Sequence, residues 1–434
     1  MILSYAEKFQ GENLEKKIFY EICSIAKCIY NLSLYNQRQY YRESEGKYLG
    51  RKLLYPKIRD EASRLYKKLN SWVSQRVIFQ VDIDYQNFFK AFKVKKEYQI
   101  VRPPKYKKKG KGLVPVVFAG PALKQDEKTL RLSLSNYLRN KFGNKFLTMN
   151  TPSFLEGKKI SEVTIIPIGY SQFEIKYTYE VEEKKSEGKE TIAIDLGLNN
   201  IAACVTTKGE AFLFSGKWLK SQNRFFNKKA AEFQSQIDTE KNPLKKMKLI
   251  FHKKMLTKKR NRKVKDEIHK IAFNLIKFCS ENDIGKIVIG HNQEWKKEIN
   301  IGKRNNQNFV QIPHSKLIAY IVYKAKLQGI AVEEIEESYT SKTDSLALEP
   351  IQKQEKYLGK RIKRGLFKSS IGKILNADIN AAINILRKCI GDSLSNLKEI
   401  ISRGCVFHPW KFEIKRLTPF NLKSTSLPSL GGGN

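Results

Sequence analysis

In "LEKKIFYEICSIAKCIYNLSLYNQRQYY" and again in "ASRLYKKLNSWVSQRVIFQVDIDYQNFFKAF", apolar and aromatic residues recur at helical spacing, so the opening stretch of the chain is predicted to be mainly helical. The basic, turn-rich "RPPKYKKKGKG" from Arg102 to Gly112 breaks that period. Beyond it, "LVPVVFAG", "TLRLSLS", "ISEVTIIPIG" and "QFEIKYTYEVE" alternate in the manner of strands, which predicts a β-rich module ending near Val181. The polar "EEKKSEGKE" then reads as a linker.

The second half opens with the apolar strand "TIAIDLG" and a hairpin in which "IAACVTT" and "EAFLFSG" flank the turn "KG". A long basic helix follows in "NPLKKMKLIFHKKMLTKKRNRKVKDEIHKIAFNLIKFC", where Ile268, Ile271, Ala272 and Ile276 keep one apolar face. Strand "GKIVIG", helix "SKLIAYIVYKAKLQ", strand "IAVEEIEE" and helix "ADINAAINILRKCI" continue an alternation that implies a mostly parallel sheet flanked by helices. From Gly404 onward there is no convincing period, and a flexible tail is expected.

Charge changes the picture. The 434 residues carry 82 Lys and Arg against 43 Asp and Glu, a formal charge of +39. Such an excess repels itself unless a polyanion neutralises it, which points to nucleic acid, with an anionic membrane as the rival. The hydrophobic content of 41% supports folded structure, and the length suggests more than one unit. No apolar run is long enough to span a membrane, and "MILSYAEKFQGENLEKK" turns charged too early for a signal peptide, so a soluble, cytoplasmic protein is expected. Cys23, Cys28, Cys204, Cys279, Cys389 and Cys405 are scattered without a C-x-x-C pair, which disfavours disulfides and a four-cysteine zinc site.

In an open α/β sheet, ligands sit beyond the carboxyl ends of the strands. Asp195 ends the strand "TIAI" there, as a turn residue or as a ligand, and a lone buried carboxylate needs a partner charge or a metal. Asp378 begins the last helix, a place that suits an N-cap and a ligand equally because the helix dipole favours the ionised form. On the same helix, Ala381 and Ala382 allow a close approach to a sheet. Converging carboxylates without His or Cys form a hard oxygen site suited to Mg²⁺ or Mn²⁺. Two such ions roughly 4 Å apart can serve phosphodiester hydrolysis, and they call for a third acid.

"IAIDLGLNN", the basic helices, "ESYTSKTDS" and "NADINAAINI", in this order and spacing, resemble the TnpB family, the RNA-guided nucleases of insertion sequences and relatives of the Cas12 effectors. The resemblance covers nearly the whole chain and implies a multidomain protein. Its parts would be a helical recognition region with a basic loop (13–112), a β-rich wedge module (113–182) joined by a strand from 1–12, and a linker (183–188). A C-terminal α/β RNase H-like (RuvC) nuclease domain (189–403) and the tail (404–434) would follow. The resemblance also implies metal-dependent cleavage of target double-stranded DNA directed by a guide RNA. The expected setting is a prokaryotic, nucleoid-associated monomer carrying one RNA, with no membrane partner.

Two departures stand out. Where most of the family has a Glu after the strand that here reads "KIVIG", this chain has Gly290, His291 and Asn292. Where most have a zinc ribbon of two C-x-x-C pairs, residues 341–375 form a basic insertion without cysteine, so no zinc is expected. A missing acid raises the alternative of a nuclease-dead, RNA-guided DNA-binding repressor, against which the intact surroundings of both aspartates argue. A transposase proper is a third reading with less support. Replacement acids are Glu294 and Glu298 in "HNQEWKKEIN", and Glu336 and Glu337 at the end of the next strand. Geometry favours Glu337, which by the period of two shares a face with Ile335, Glu333 and Ala331, whereas Glu336 points away beside Glu334. "EESYTSK" also resembles a subgroup with a displaced acid. The expected catalytic, Mg²⁺-holding set is therefore Asp195, Glu337 and Asp378, with Glu333 and Glu334 as surface charges or partners of lysines.

Lys258, Lys259, Arg260, Arg262 and Lys263 have few acids at i+4 and are assigned to a nucleic-acid backbone. So are Lys105, Lys107, Lys108, Lys109 and Lys111 of the loop, and Lys360, Arg361, Lys363 and Arg364 of the insertion. Gln75 and Gln80 are amides able to pair with adenine edges. Helical spacing assigns most of Tyr30, Tyr35, Tyr40 and Tyr41 to the core, with base stacking as the other use of such rings.

Overall fold

The computed structural model describes residues 1–95, 99–108, 112–169, 172–184, 187–291, 313–363, 365–391, 400 and 404–412. It divides into two units, Met1–Glu182 and Glu183–Asn434.

The first unit begins with β1 (Ile2–Lys8), α1 (Asn13–Glu43), α2 (Arg51–Glu61), the short α3 (Ser63–Tyr66) and α4 (Ser71–Lys93). It continues with β2 (Val116–Ala119), β3 (Leu123–Gln125), β4 (Thr129–Ser133), α5 (Asn136–Phe142), β5 (Phe146–Asn150), β6 (Ile160–Gly169) and β7 (Gln172–Glu180). One stripe of α1, including Ile18, Ile22, Ala26 and Ile29, is buried at the spacing of an amphipathic helix. The second helical run of the sequence is cut in two because Asn70 caps α4, its side chain accepting from the Trp72 N–H. The alternating segments make two sheets: β1-β7-β6-β2 and β3-β4-β5. The N-terminal strand pairs antiparallel with β7, Tyr5 opposite Tyr177.

In the second unit, β8 (Glu190–Asp195), β9 (Asn200–Thr206) and β10 (Ala211–Ser215) are followed by α6 (Lys217–Thr239), α7 (Pro243–Glu281), β11 (Ile284–Gly290), α8 (His314–Leu327) and β12 (Ala331–Ile335). A small sheet of β13 (Lys360–Lys363), β14 (Leu366–Lys368) and β15 (Ile374–Asn376) precedes α9 (Ala377–Ile390) and β16 (Trp410–Phe412). The main sheet has the order β12-β11-β8-β9-β10-β16, and its pairings leave β9 alone running against the rest. Three of these elements depart from the sequence expectation. α6 lies in a stretch without clear pattern, the insertion contains a three-stranded sheet, and β16 draws part of the supposed flexible tail into pairing with β10.

The period of two sorts the strand residues. Ile192, Ile194, Ile287 and Ile289 pack with Ile268, Ile271 and Leu275 of α7 and Leu317 and Ile321 of α8. Ala193, Ala203 and Val288 face the other way, against Ile379, Ala382, Ile383 and Ile385 of α9. Small residues on that side bring α9, and with it Asp378, close to the sheet.

Candidate active site

β8, β11 and β12 run parallel, so their carboxyl ends share one edge. Ile194 pairs with Ile289 and Gly290 with Ile335, which sets Asp195, Gly290 and the residues after Ile335 side by side. Asp378 reaches the same place from the first turn of α9. The N-cap of that helix is Asn376, whose side chain accepts from the Asp378 and Ile379 N–H groups, so Asp378 is not the cap and its carboxylate faces Asn200. Asn200 Nδ2 donates to Asp378 Oδ2 at 2.7 Å. Gly197 keeps the intervening turn tight, since a Cβ there would meet the Asn200 carbonyl oxygen at 2.7 Å. The His314 imidazole lies 3.1 Å from the Gly197 carbonyl and braces the same turn.

Among the four glutamates that follow Val332, only Glu337 turns inward. Glu333 pairs with Lys286 at 2.7 Å, Glu334 with His291 at 3.1 Å, and the exposed Glu336 accepts from the Ser338 hydroxyl. The strand stops at Ile335, so the alternation invoked from the sequence does not place Glu337. Anchors on its backbone do: Lys388 Nζ donates to the carbonyls of Glu336 and Ser338 at 2.9 and 3.0 Å, and the Thr340 hydroxyl donates to the Glu337 carbonyl at 2.8 Å. Asn380 and Asn384 of α9 bind the Thr343 and Thr340 carbonyls, fixing the following turns to the same helix.

At Gly290 the packing leaves no room for a side chain. A Cβ at that position would run into Ile385 Cδ1, would lie 3.1 Å from Ile385 Cγ1 and would sit 3.4 Å from Glu337 Cβ. The space a side chain at 290 would need is filled by α9 and by the base of Glu337. Glu294 and Glu298 lie outside the described residues.

Burial, then the charge of Asp378 and that of Glu337, push the Asp195 carboxyl well above the usual range, with Arg361 opposing. Burial pushes Glu337 up to about 7 against the pull of Lys388. Like charges gathered in a poorly solvated place are what a bound cation would relieve. Among the described residues no three His, Cys, Asp or Glu side chains close round one point. The donor set fits ions held by one or two carboxylates each and completed by water or phosphate oxygens, the habit of Mg²⁺.

The insertion is organised by carboxylates. The buried Asp344 accepts from Ser369 Oγ, Ser370 N and Ser370 Oγ at 2.8, 2.7 and 3.0 Å, and from Leu346 N at 3.2 Å. Glu349 accepts from Asp344 N and Leu358 N at 2.6 and 2.8 Å, and Arg387 donates to its carbonyl. This segment leads into β13, whose Arg361 lies 3.8 Å from Asp378. Arg361, assigned from the sequence to a nucleic-acid backbone in general, is thus beside the carboxylates.

The other basic residues divide. Lys258, Lys259, Arg262 and Lys263 are exposed on α7, Lys105 and Lys108 on the loop, and Lys360 and Lys363 on β13. Arg260 is half-buried and donates to Asn223 Oδ1 at 2.9 and 2.6 Å, joining α7 to α6. Lys107 is held by its backbone to Asn31 and sets its ammonium 4.6 Å from the Tyr30 ring centroid. Gln80 spends its amide on Asp84 at 2.8 Å, while Gln75 is half-buried. Lys109, Lys111 and Arg364 lie outside the described residues. Sequence reasoning passed over Asn200 and Lys388. The doubled Asn after "DLGL" was the one signal for Asn200, and nothing local distinguishes Lys388 from any other lysine in the last turn of a helix.

A family model described as a probable transposase matches residues 174–296, and one described as a Cas12f1-like TNB domain matches residues 314–385. The TnpB-like protein ORF457 of Acidianus two-tailed virus is 30% identical over 227 residues, 51% of this chain and 47% of that protein. The chain thus spans about half the length of this curated relative. Among solved structures, Cas12f1 in its complex with sgRNA and target DNA shares the fold with a TM-score of 0.57, 17% identity and coverage of 86% of this chain and 83% of that one. The protein of a CRISPR-Cas12f ternary complex is 14% identical over 85% of this chain and 80% of its own, with a TM-score of 0.37.

Proposed function

We propose that this chain is a member of the TnpB family and an RNA-guided, Mg²⁺-dependent DNA endonuclease with a RuvC-type, RNase H-like C-terminal domain. The observation that carries the reading is the convergence of Asp195, Glu337 and Asp378 from three separate elements at the carboxyl edge of the sheet, close enough for two of them to lift the Asp195 carboxyl. The strand order, with a reversed second strand, supports the RNase H-like assignment. The charge of +39 supports polyanionic partners, and Cas12f1 in the matched structure is bound to sgRNA and target DNA.

Asp195, Glu337 and Asp378 would share Mg²⁺ ions, one or two carboxylates to each, and the bound metal would supply activation of the attacking water and stabilisation of the leaving oxygen. The chain's own groups set the stage. Asn200 orients Asp378, Lys388 fixes the backbone on both sides of Glu337, and the exposed Arg361, 3.8 Å from Asp378, would meet a phosphate beside them. The basic faces of α7 and β13 would bind the backbone of guide and target, while base pairing carries the sequence information.

The test is cleavage of matched DNA, with Mg²⁺, by protein purified with its co-expressed RNA, comparing wild type with Asp195→Ala and Glu337→Ala. Loss of cutting in both variants with binding retained is expected. Cutting that survives Glu337→Ala would remove that residue from the set. Tight binding without cutting by wild type would favour the repressor, and cutting that ignores the RNA would favour a transposase.

A further inference from the structure

Within the first unit, the C-terminal turns of α1 and α4 and the loop before β2 enclose a cavity of about 330 Å³. Its walls include the rings of Tyr41, Tyr85, Phe88 and Phe89. Two guanidinium groups, Arg38 and Arg42, share the lining with Pro103, and no carboxylate does among the described residues. Tyr85 is buried, but Phe88 and Phe89 are only half-buried and Tyr41 is exposed, so the aromatic wall remains open to a ligand. Arg38 is fixed in advance: it donates to the Pro104 carbonyl at 2.6 Å and lies 4.5 Å from the Tyr106 ring centroid. Lys90, Lys93, Lys105 and Lys108 are exposed on the neighbouring turns.

We propose that this cavity takes an unpaired nucleobase from a single-stranded segment of RNA or DNA, the base stacking on the aromatic side chains and its flanking phosphates meeting Arg42 and the lysines. Aromatic faces are the sequence-tolerant platform for bases, and they do this next to a cationic track for the backbone. The volume lies at the lower end of ligand pockets, the size of one base with its sugar rather than of a helical stretch. A base inside a duplex is stacked on both faces and cannot enter. A pre-set Arg38 lowers the ordering cost of binding. The inference rests on the nucleic-acid partner proposed above and not on cleavage.

The test uses the full chain in EDTA, so that binding is read apart from catalysis. Fluorescence anisotropy would measure its affinity for a labelled oligouridylate, for an oligothymidylate of the same length and for a blunt duplex. Tyr41→Leu and Phe88→Leu keep apolar bulk and remove the ring. Each is expected to weaken single-strand binding about 5- to 100-fold at an unchanged salt slope, leaving duplex binding as it was. Arg42→Gln should make the salt slope shallower by about 1. A larger effect on one of the two oligonucleotides identifies RNA or DNA as the source of the base. Unchanged single-strand affinity in Tyr41→Leu, an exposed position where folding is not at stake, would overturn the proposal. So would an equal loss for strand and duplex.

Discussion

Replacing Gly290 by Ala adds one methyl group at the point where the sheet, α9 and Glu337 meet. The added Cβ runs into Ile385 Cδ1 and lies 3.1 Å from Ile385 Cγ1, and Ile385 is fully buried. Overpacking of a closed core by a methyl group costs about 1–3 kcal/mol, because neighbours must leave their rotamers or the backbone must shift. Here the shift has two directions. Moving Ile385 pushes on the helix that carries Asp378 in its first turn, and moving the strand end presses on Glu337, whose Cβ is 3.4 Å away. Gly290→Ala is therefore expected to lower stability by about 1–3 kcal/mol and to reduce cleavage with guide and target binding unchanged. Ile385→Val deletes the clashing Cδ1 and alone should cost about 0.5–1.5 kcal/mol. Combined, the two substitutions should cost less than their sum by roughly 1 kcal/mol, and part of the cleavage should return. The assay is urea unfolding of all four proteins beside cleavage of matched DNA. Because the chain divides into two compact units, which can unfold in separate transitions, the stability change is read from the transition that Ile385→Val also moves. Additive costs, or a Gly290→Ala protein that is as stable and as active as wild type, would refute the packing argument.

The insertion should depend on Asp344: Asp344→Asn gives hydroxyl and amide donors an amide group in place of one carboxylate oxygen, at a cost of about 1–3 kcal/mol, read as faster proteolysis between residues 350 and 358. Lys388→Met removes the two bonds that hold Glu336 and Ser338. The Mg²⁺ requirement for cleavage should rise about 10–100-fold, as on loss of other groups that orient metal ligands, with DNA binding intact. The metal-free protein should lose stability as pH rises from about 4.5 to about 7, because the unfolded chain releases the Glu337 proton first. Glu337→Gln should flatten that part of the pH–stability curve, and Mg²⁺ should raise the curve chiefly at its upper end, where the carboxylate is ionised.

Where one repeat decides an element, the sequence was readable. The apolar runs of β8 and β11 and the stripe of α7 announced the sheet and its cover, and the turn "KG" announced the β9–β10 hairpin. Asp195 was legible as a candidate because a carboxylate that ends the apolar run of Ile192, Ala193 and Ile194 needs a reason. Glu337 was legible only in part. The sequence indicated the right edge of the sheet, but strand alternation cannot orient a residue that follows the end of the strand. Besides the nearby Thr340, the anchors that orient it come from Lys388, about 50 residues later, and no local pattern encodes a contact of that range. β16 was hidden for a similar reason, since three residues acquire a strand conformation only by pairing with β10.

Glu337, as the third carboxylate of the proposed site, carries a structural cost that its surroundings are arranged to meet. An acid directly on β11 would be positioned by the ladder of the sheet. An acid two residues beyond β12 has no ladder to hold it and must be fixed from elsewhere. α9 provides that hold. Asp378 stands in its first turn, Asn380 and Asn384 bind the turns after Glu337, Ile385 closes the space at Gly290, and Lys388 secures the backbone around Glu337. Two of the three carboxylates therefore take their positions from a single rigid helix, whose small and branched residues seat it against the sheet that carries the third. A change in how α9 seats on the sheet moves both at once relative to Asp195. Substitutions on its buried face should thus reduce cleavage more than their effect on stability alone would imply, whereas equally destabilising substitutions under α7 should not.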